Sequence, residues 1–312
     1  MDKIIKKVPM PITGLMLGLA AAGNLVQSYG EAFRNIFGVL SAILLVLILA
    51  KIIMYPNIVK EELKNPVVAS VFLTLTMGTM LLSTYIKPFA PTLAFVMWVA
   101  SVIVHVILFI KFIMDFVVNL DIKKVFPSWF IVAAGTAVAS VSAPAFEMQN
   151  LGRPIFWVSI VLYFLLLPRV IKRVRTIPIP EPAAPVIVIF AAPVALCLAG
   201  YMSSFPEKNM AIVWGLLIIS QVSYIFALTR LPKLLKLQFY PSYSAFTFPF
   251  VISAISLKLT NGFLVNSGQA IPVLGYIVKI EEIIAVVLTL YVLVKYLQFL
   301  TAPAKEAAAP AK

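Results

Sequence analysis

The chain contains few of the residues that catalysis and metal binding usually require. Its 312 residues include one cysteine, one histidine and 12 acidic residues. The single cysteine, Cys197, excludes an intramolecular disulfide. The sequence has no Cys/His spacing typical of a metal site, no phosphate-binding glycine loop and no nucleophile motif. It therefore predicts no enzyme, no cofactor and no metal.

Charge is also scarce. Charged residues make up 12% of the chain and hydrophobic residues 62%, with a mean hydropathy of +1.03. A soluble domain carries roughly 25% charged residues, whereas a membrane-spanning helix needs about 20 predominantly apolar ones. Strands of a membrane barrel would alternate over about 10 residues, and stretches such as 43–53 and 99–110 do not. This composition predicts an all-α integral membrane protein.

The sequence divides into ten apolar stretches joined by short links. They cover residues 9–29, 34–55, 66–86, 92–114, 127–146, 152–171, 182–202, 209–229, 241–261 and 273–299. Residues 1–301 are therefore predicted to form a single transmembrane domain of ten helices. Residues 302–312 (APAKEAAAPAK) are low in complexity and are predicted to be a disordered tail.

The net charge of +13 is explained by membrane topology. With ten spans, 19 of the 25 Lys and Arg residues fall on the side of the N-terminus. The opposite side keeps the remaining six: Arg34, Lys87, Arg153, Lys208, Lys258 and Lys279. Because cytoplasmic loops carry the excess of Lys and Arg, both termini are predicted to lie in the cytoplasm, in a plasma or inner membrane. No nucleic-acid partner is needed to account for the charge.

A proline repeats down the chain at intervals of 55, 61, 58 and 56 residues. The five repeated prolines are Pro11, Pro66, Pro127, Pro185 and Pro241. Each opens an odd-numbered span, where a helix tolerates proline in its first turn, and an even-numbered span follows. The pattern predicts five repeated helical hairpins. Five equivalent helices that open on one side indicate an inner ring of odd helices around a central pore.

Further helix breakers follow inside the odd helices. Gly135, Pro193 and Pro249 each stand eight residues after a repeat proline. Backbone groups freed by such breakers persist in a membrane only where protein or a water-filled cavity receives them. The residues predicted to line or kink the pore are Gly14, Gly18, Thr74, Gly78, Gly135, Pro193 and Pro249. The alternative is that these small residues only allow close helix packing.

Ionisable side chains are almost absent from the cores of the odd helices. A cation pathway would need acidic side chains or rings of carbonyls. A proton relay has one candidate, His105, which lies on an even helix and is interpreted as a packing histidine. Helix amino ends and freed amides supply a weak positive bias. Small anions are therefore the predicted permeant species.

Three segments resemble a known family. Residues 11–24 (PITGLMLGLAAAGN), 127–135 (PSWFIVAAG) and 244–250 (SAFTFPF) are similar to the first, fifth and ninth helices of the tellurite-resistance/dicarboxylate transporter family, TehA, which includes the plant slow-type anion channels. The resemblance covers essentially all ten helices. Tyr243 and Ser244 stand where relatives often carry other aromatics, and 132–135 lacks a proline common in relatives. The long regulatory tails of the plant members are absent.

The resemblance implies a ten-helix subunit with pseudo-five-fold symmetry, its own pore and assembly as a homotrimer in membrane lipid. In the family a phenylalanine of the ninth helix plugs the pore, and the match of the FTFP motif assigns this role to Phe248. Phe246 and Phe250 are the alternatives, since the three residues cannot share one helical face. A Phe beside Pro249 lies at the kink, where the backbone leans toward the axis.

These observations predict a gated passive channel for small inorganic anions, plugged by Phe248. The alternative is a secondary carrier for C4-dicarboxylates such as malate, or for oxyanions such as tellurite or sulfite. A carrier that recognises a dicarboxylate would gain from a fixed Arg or Lys inside the path. The cores of the odd helices contain none, which favours the channel.

Overall fold

The computed structural model describes residues 2–302, and every regular element in that range is a helix. Apart from residue 302, the tail predicted to be disordered lies outside the described residues. The α-helices are α1 (Asp2–Lys7), α2 (Ile12–Val26), α3 (Glu31–Met54), α4 (Pro56–Glu62), α5 (Pro66–Phe72), α6 (Thr74–Ile86), α7 (Pro91–Phe112), α8 (Trp129–Ala134), α9 (Ala137–Ser142), α10 (Gln149–Thr176), α11 (Ala192–Ser204), α12 (Met210–Leu234), α13 (Phe248–Asn266) and α14 (Pro272–Thr301).

Shorter helices of other types connect them. The 3₁₀-helices are Gln27–Tyr29, Ile122–Lys124, Ala143–Phe146, Glu181–Ala191 and Pro241–Phe246, and Ile113–Val117 is a π-helix that extends α7.

Within residues 2–302, seven helical stretches are long and apolar enough to cross a membrane. They are Glu31–Met54, Pro66–Ile86, Pro91–Val117, Gln149–Thr176, Glu181–Ser204, Met210–Leu234 and Pro241–Asn266. The all-helical class is as predicted. The three other predicted spans correspond to α2, to α8 with α9, and to α14. Helix α2 has only 15 residues, and α8 is separated from α9 at Gly135. The total of ten spans stays a prediction.

The long stretches fall into two groups by burial. In Pro66–Ile86, Glu181–Ser204 and Pro241–Asn266, 61% to 78% of the most apolar window is buried. In Glu31–Met54, Pro91–Val117, Gln149–Thr176 and Met210–Leu234, only 22% to 33% is buried. The second group exposes large apolar side chains such as Ile43 and Ile107. Protein therefore surrounds the first group, and the second group turns an apolar face outward, as helices in lipid do.

Five segments form the interior, and we call them the core segments. The first is α2, the second Pro66–Ile86, the third 129–146, the fourth Glu181–Ser204 and the fifth Pro241–Asn266. Each contacts the next in chain order, and the fifth contacts the first.

The second to fifth core segments are interrupted partway along. The second breaks at Leu73, the third at 135–136, and the fourth changes from 3₁₀- to α-helix at Ala192. The fifth breaks at Thr247, whose φ of −102° and ψ of −89° are not helical. Pro193 and Pro249 lie in the first turn of α11 and α13, where the missing N–H costs nothing.

Candidate functional site

A narrow central cavity of about 40 Å³ lies between the five core segments. Every core segment contributes to its wall. The lining residues are Gly14, Val71, Thr74, Met77, Phe130, Ile131, Ala134, Gly135, Ile189, Ala192, Pro193, Leu196, Ser244, Ala245, Phe248 and Pro249. None of these residues is charged, and most are apolar. A space of this size has room for only a few water molecules.

A wider cavity of about 540 Å³ lies at the amino ends of the core segments, and we call it the amino-end cavity. Its wall includes residues at or just before the start of each core segment: Pro11, Pro66, Phe126, Pro182 and Pro241. Because all five amino ends meet at one cavity, the core segments begin on the same side of the molecule.

A third space, the carboxyl-end cavity of about 210 Å³, lies in the opposite halves of the core segments. Its lining residues are Ala21, Asn24, Leu81, Val138, Val141, Leu196, Ser203, Phe248, Ile252, Ile255 and Leu259. Phe248 and Leu196 line this cavity and the central cavity as well. The three cavities thus follow the core segments from amino to carboxyl ends, and the middle one is the smallest.

Six of the residues selected from the sequence lie together at the central cavity. They are Gly14, Thr74, Gly135, Pro193, Phe248 and Pro249. Gly18 and Gly78 lie instead at contacts between core segments. A Cβ on Gly18 would meet the Thr247 side chain and come within 3.2 Å of the Phe248 amide nitrogen. A Cβ on Gly78 would come within 3.3 Å of the Leu17 Cα.

Phe248 differs from its aromatic neighbours in where its side chain lies. Phe248 lines the central cavity. Phe246 packs against Tyr243 at 4.8 Å between ring centroids, and Phe250 packs edge-on against Tyr224 at 5.6 Å. Neither Phe246 nor Phe250 is among the residues that line the three cavities.

The break at Thr247 is held by its hydroxyl proton, which two carbonyl oxygens share. The Thr247 hydroxyl lies 2.7 Å from the carbonyl oxygen of Ser244 and 3.1 Å from that of Gly14. Gly14 belongs to the first core segment, so the start of α13 is tied to α2. Gly18 allows this approach because it has no Cβ to meet Thr247.

Among the described residues, charged side chains line the amino-end cavity and neither the central nor the carboxyl-end cavity. Lys123, Lys124 and Glu62 line it. Glu62 accepts from the buried Lys51 ammonium and, at 2.9 Å, from the Met10 amide. Its negative charge is therefore compensated. Among the described residues, neither Lys123 nor Lys124 has an acidic partner within 4.0 Å. The cavity wall carries an excess of positive charge.

Leu196 lines both the central and the carboxyl-end cavity, and it was not predicted from the sequence. It stands 11 residues after the repeat proline Pro185, one helical turn beyond the offset that drew attention to Pro193. Side chains three or four residues apart lie on the same helix face. The position of Leu196 in the repeat could therefore have indicated that it lines the pore. A leucine in an apolar helix, however, does not differ from its neighbours in composition.

His105 lies outside the three cavities. It is 1% exposed, and its Nδ1 is 2.7 Å from the Thr76 hydroxyl. Thr76 belongs to the second core segment and His105 to α7, so the pair joins a core segment to an outward-facing helix. Its Nε2 has no hydrogen-bond partner among the described residues.

Comparison with known proteins gives a family for the whole chain. No curated protein matches it. The model of the SLAC1 family, described as voltage-dependent anion channel, matches residues 8–297. This range extends from just before the first core segment almost to the end of α14, and it confirms the family resemblance carried by the three motifs. A multi-pass membrane protein for anion transport is thereby established at the level of the family. The chain belongs to the SLAC1 family of voltage-dependent anion channels.

Proposed function

We propose that the chain is a gated passive channel for small inorganic anions, closed at Phe248. The pore runs between the core segments, through the amino-end, central and carboxyl-end cavities in turn. The observation that carries the proposal is the position of Phe248, which lines both the narrowest cavity and the one beyond it. An aromatic side chain there separates two spaces that would otherwise be continuous.

The proposed architecture has ten spans with pseudo-five-fold symmetry. The core segments form the inner ring, and α3, α7, α10, α12 and α14 form the outer ring. Two observations support it: the closed order of contacts among the core segments, and the low burial of α3, α7, α10 and α12. The homotrimer rests on the family resemblance, and cytoplasmic termini rest on the distribution of Lys and Arg.

Anion preference follows from the charges along the path. Lys123 and Lys124 give the amino-end cavity a positive wall, and the amino ends of helices add positive potential there. The central cavity has no charged side chain that would hold a cation or bind an anion tightly. Anions are thus attracted weakly at the amino-end cavity and are not bound tightly in the central cavity. Fast permeation requires this combination.

A narrow apolar constriction excludes hydrated ions until its side chain moves. Phe248 follows the break at Thr247, where the backbone is not held in a continuous helix. A rotamer change of this one side chain would join the central and carboxyl-end cavities. A dicarboxylate carrier fits less well, because none of the residues that line the central and carboxyl-end cavities is a fixed cation.

The proposal is tested by chloride and nitrate currents in planar bilayers for the wild type, Phe248→Ala and Phe250→Ala. Phe250 is the matched control, since it has the same side chain two residues away and lines none of the three cavities. We expect a small wild-type current, a much larger one for Phe248→Ala, and reversal potentials near the anion equilibrium. Absence of current in all three, together with saturable malate uptake into liposomes, would favour the carrier instead.

A further inference from the structure

Basic side chains cover the carboxyl ends of four core segments. The sequence assigns these residues only to membrane topology, yet five of the six basic residues on that side donate to backbone carbonyls where a core segment ends. Lys258 donates to the Leu25 carbonyl at 2.8 Å, Arg34 to Thr84 at 3.2 Å, Arg153 to Ser204 at 3.2 Å, Lys87 to Ala145 and Lys208 to Phe205.

Four of the five donors lie in or just after one core segment and bond to the carboxyl end of another. Arg34 follows the first core segment and covers the second, and Lys87 ends the second and covers the third. Arg153 follows the third and covers the fourth. Lys258, in the fifth, covers the first. Each of these donors thus reaches the next core segment in the order in which the segments contact one another.

The last carbonyls of a helix have no partner within the helix. They give its carboxyl end a negative potential, equivalent to roughly half an elementary charge. Several core segments end near one mouth, so their bare carbonyls would repel an anion leaving the carboxyl-end cavity. A basic side chain without an acidic partner reverses the sign of that potential at the end it covers.

We propose that these five basic residues form a selectivity ring at the carboxyl-end mouth, which lets anions pass and disfavours cations. This inference rests on the proposed function, because it assumes that ions cross between the core segments. The ring adjoins the cavity through named contacts. Asn24, which lines the carboxyl-end cavity, accepts from Arg34 at 3.1 Å, and Ser203 in the same wall precedes the capped Ser204.

The excess charge of the ring lies at the third and fourth core segments. Arg34 has Glu31 at 3.7 Å and Lys258 has Glu282 at 2.5 Å. Among the described residues, Lys87, Arg153 and Lys208 have no acidic partner within 4.0 Å. Lys87, Arg153 and Lys208 are also half-buried, where water screens a charge less than on an open surface. These three residues dominate the ring, and Lys87 and Arg153 are the two of them that reach the next core segment.

The test is the ratio of chloride to potassium permeability, taken from reversal potentials under a KCl gradient. Lys87→Gln, Arg153→Gln and their combination are compared in the wild-type and Phe248→Ala backgrounds. Lys279→Gln is the matched control, since Lys279 is exposed on the same side and has no carbonyl contact among the described residues. Lys87→Arg, which keeps the charge, separates loss of charge from loss of folding.

We expect each neutralisation to lower the permeability ratio about fourfold in dilute salt, since Coulomb interaction with an ion roughly 10 Å away changes the chloride and potassium permeabilities about twofold each, in opposite directions. The effect should fade at 1 M salt, where the screening length is about 3 Å, and Lys87→Arg should restore the ratio. If Lys87→Gln and Arg153→Gln change the permeability ratio no more than Lys279→Gln does, the proposal of a selectivity ring is overturned. The proposal of an anion channel is not affected by that result. No anion current in any variant overturns the channel, and the ring with it.

Discussion

Phe248 and Leu196 both line the central cavity as well as the carboxyl-end cavity. They lie on the fifth and fourth core segments, which contact each other along α13 and α11. Phe248 is 6% exposed and Leu196 is 2% exposed. One aromatic and one aliphatic side chain therefore stand where the two cavities adjoin.

Leu196→Ala should raise the anion conductance, by less than Phe248→Ala does. The reason is that the resistance of a pore is set by its narrowest part, and this change widens that part. Leu81→Ala is the matched control, because it makes the same substitution in the wall of the wider carboxyl-end cavity alone. Single-channel recording of the variants checks this. Equal conductance for Leu196→Ala and Leu81→Ala would remove Leu196 from the constriction.

Lys123→Gln combined with Lys124→Gln should lower the single-channel current in dilute salt. As positive charges in the wall of the amino-end cavity, these lysines should concentrate anions there, and the effect should shrink as the screening length falls from about 10 Å at 0.1 M to about 3 Å at 1 M salt. Lys172→Gln serves as control, since Lys172 is exposed on α10 and does not line the cavity. A loss of current that is independent of salt would argue against electrostatic attraction.

Gly18→Ala should destabilise the protein by about 1–3 kcal/mol, as overpacking does in cores. The added Cβ would meet the Thr247 side chain at the point where the fifth core segment breaks. Gly262→Ala has no heavy atom within 4 Å of its new Cβ, so it should be neutral or stabilise by up to about 1 kcal/mol. Thermal unfolding of the two variants in detergent compares them directly. Equal melting temperatures would show that the Gly18 contact is not tight.

The core segments are predictable from the sequence because a helix tolerates proline in its first turn. Pro66 begins α5, and Pro241 begins a 3₁₀-helix. Pro11 precedes α2 directly. The 3₁₀ character of Glu181–Ala191 and Pro241–Phe246 was not foreseen, since apolar composition does not separate it from an α-helix. The total of ten spans stays a prediction, because α2 is short and 129–146 is interrupted.

The site was predictable where it depends on helix breakers and not where it depends on distant contacts. Of the six predicted residues at the central cavity, four are glycine or proline, which mark breaks in any apolar helix, whereas Phe248 was assigned from the family resemblance of the FTFP motif. The bond from Thr247 to the Gly14 carbonyl joins residues far apart in the chain, and no local pattern shows it. The same holds for Lys87 and Arg153, whose carbonyl partners belong to the next core segment.

The most direct test of the account is the unitary chloride conductance of a graded series at residue 248. The side chain at residue 248 becomes smaller in steps from wild type to Phe248→Leu to Phe248→Ala. The other residues that line the pore are the same in all three proteins. The account predicts that conductance rises in that order, with anion selectivity kept throughout. Conductance independent of the side chain at 248 would contradict it, because the ions would then cross by a path that Phe248 does not close.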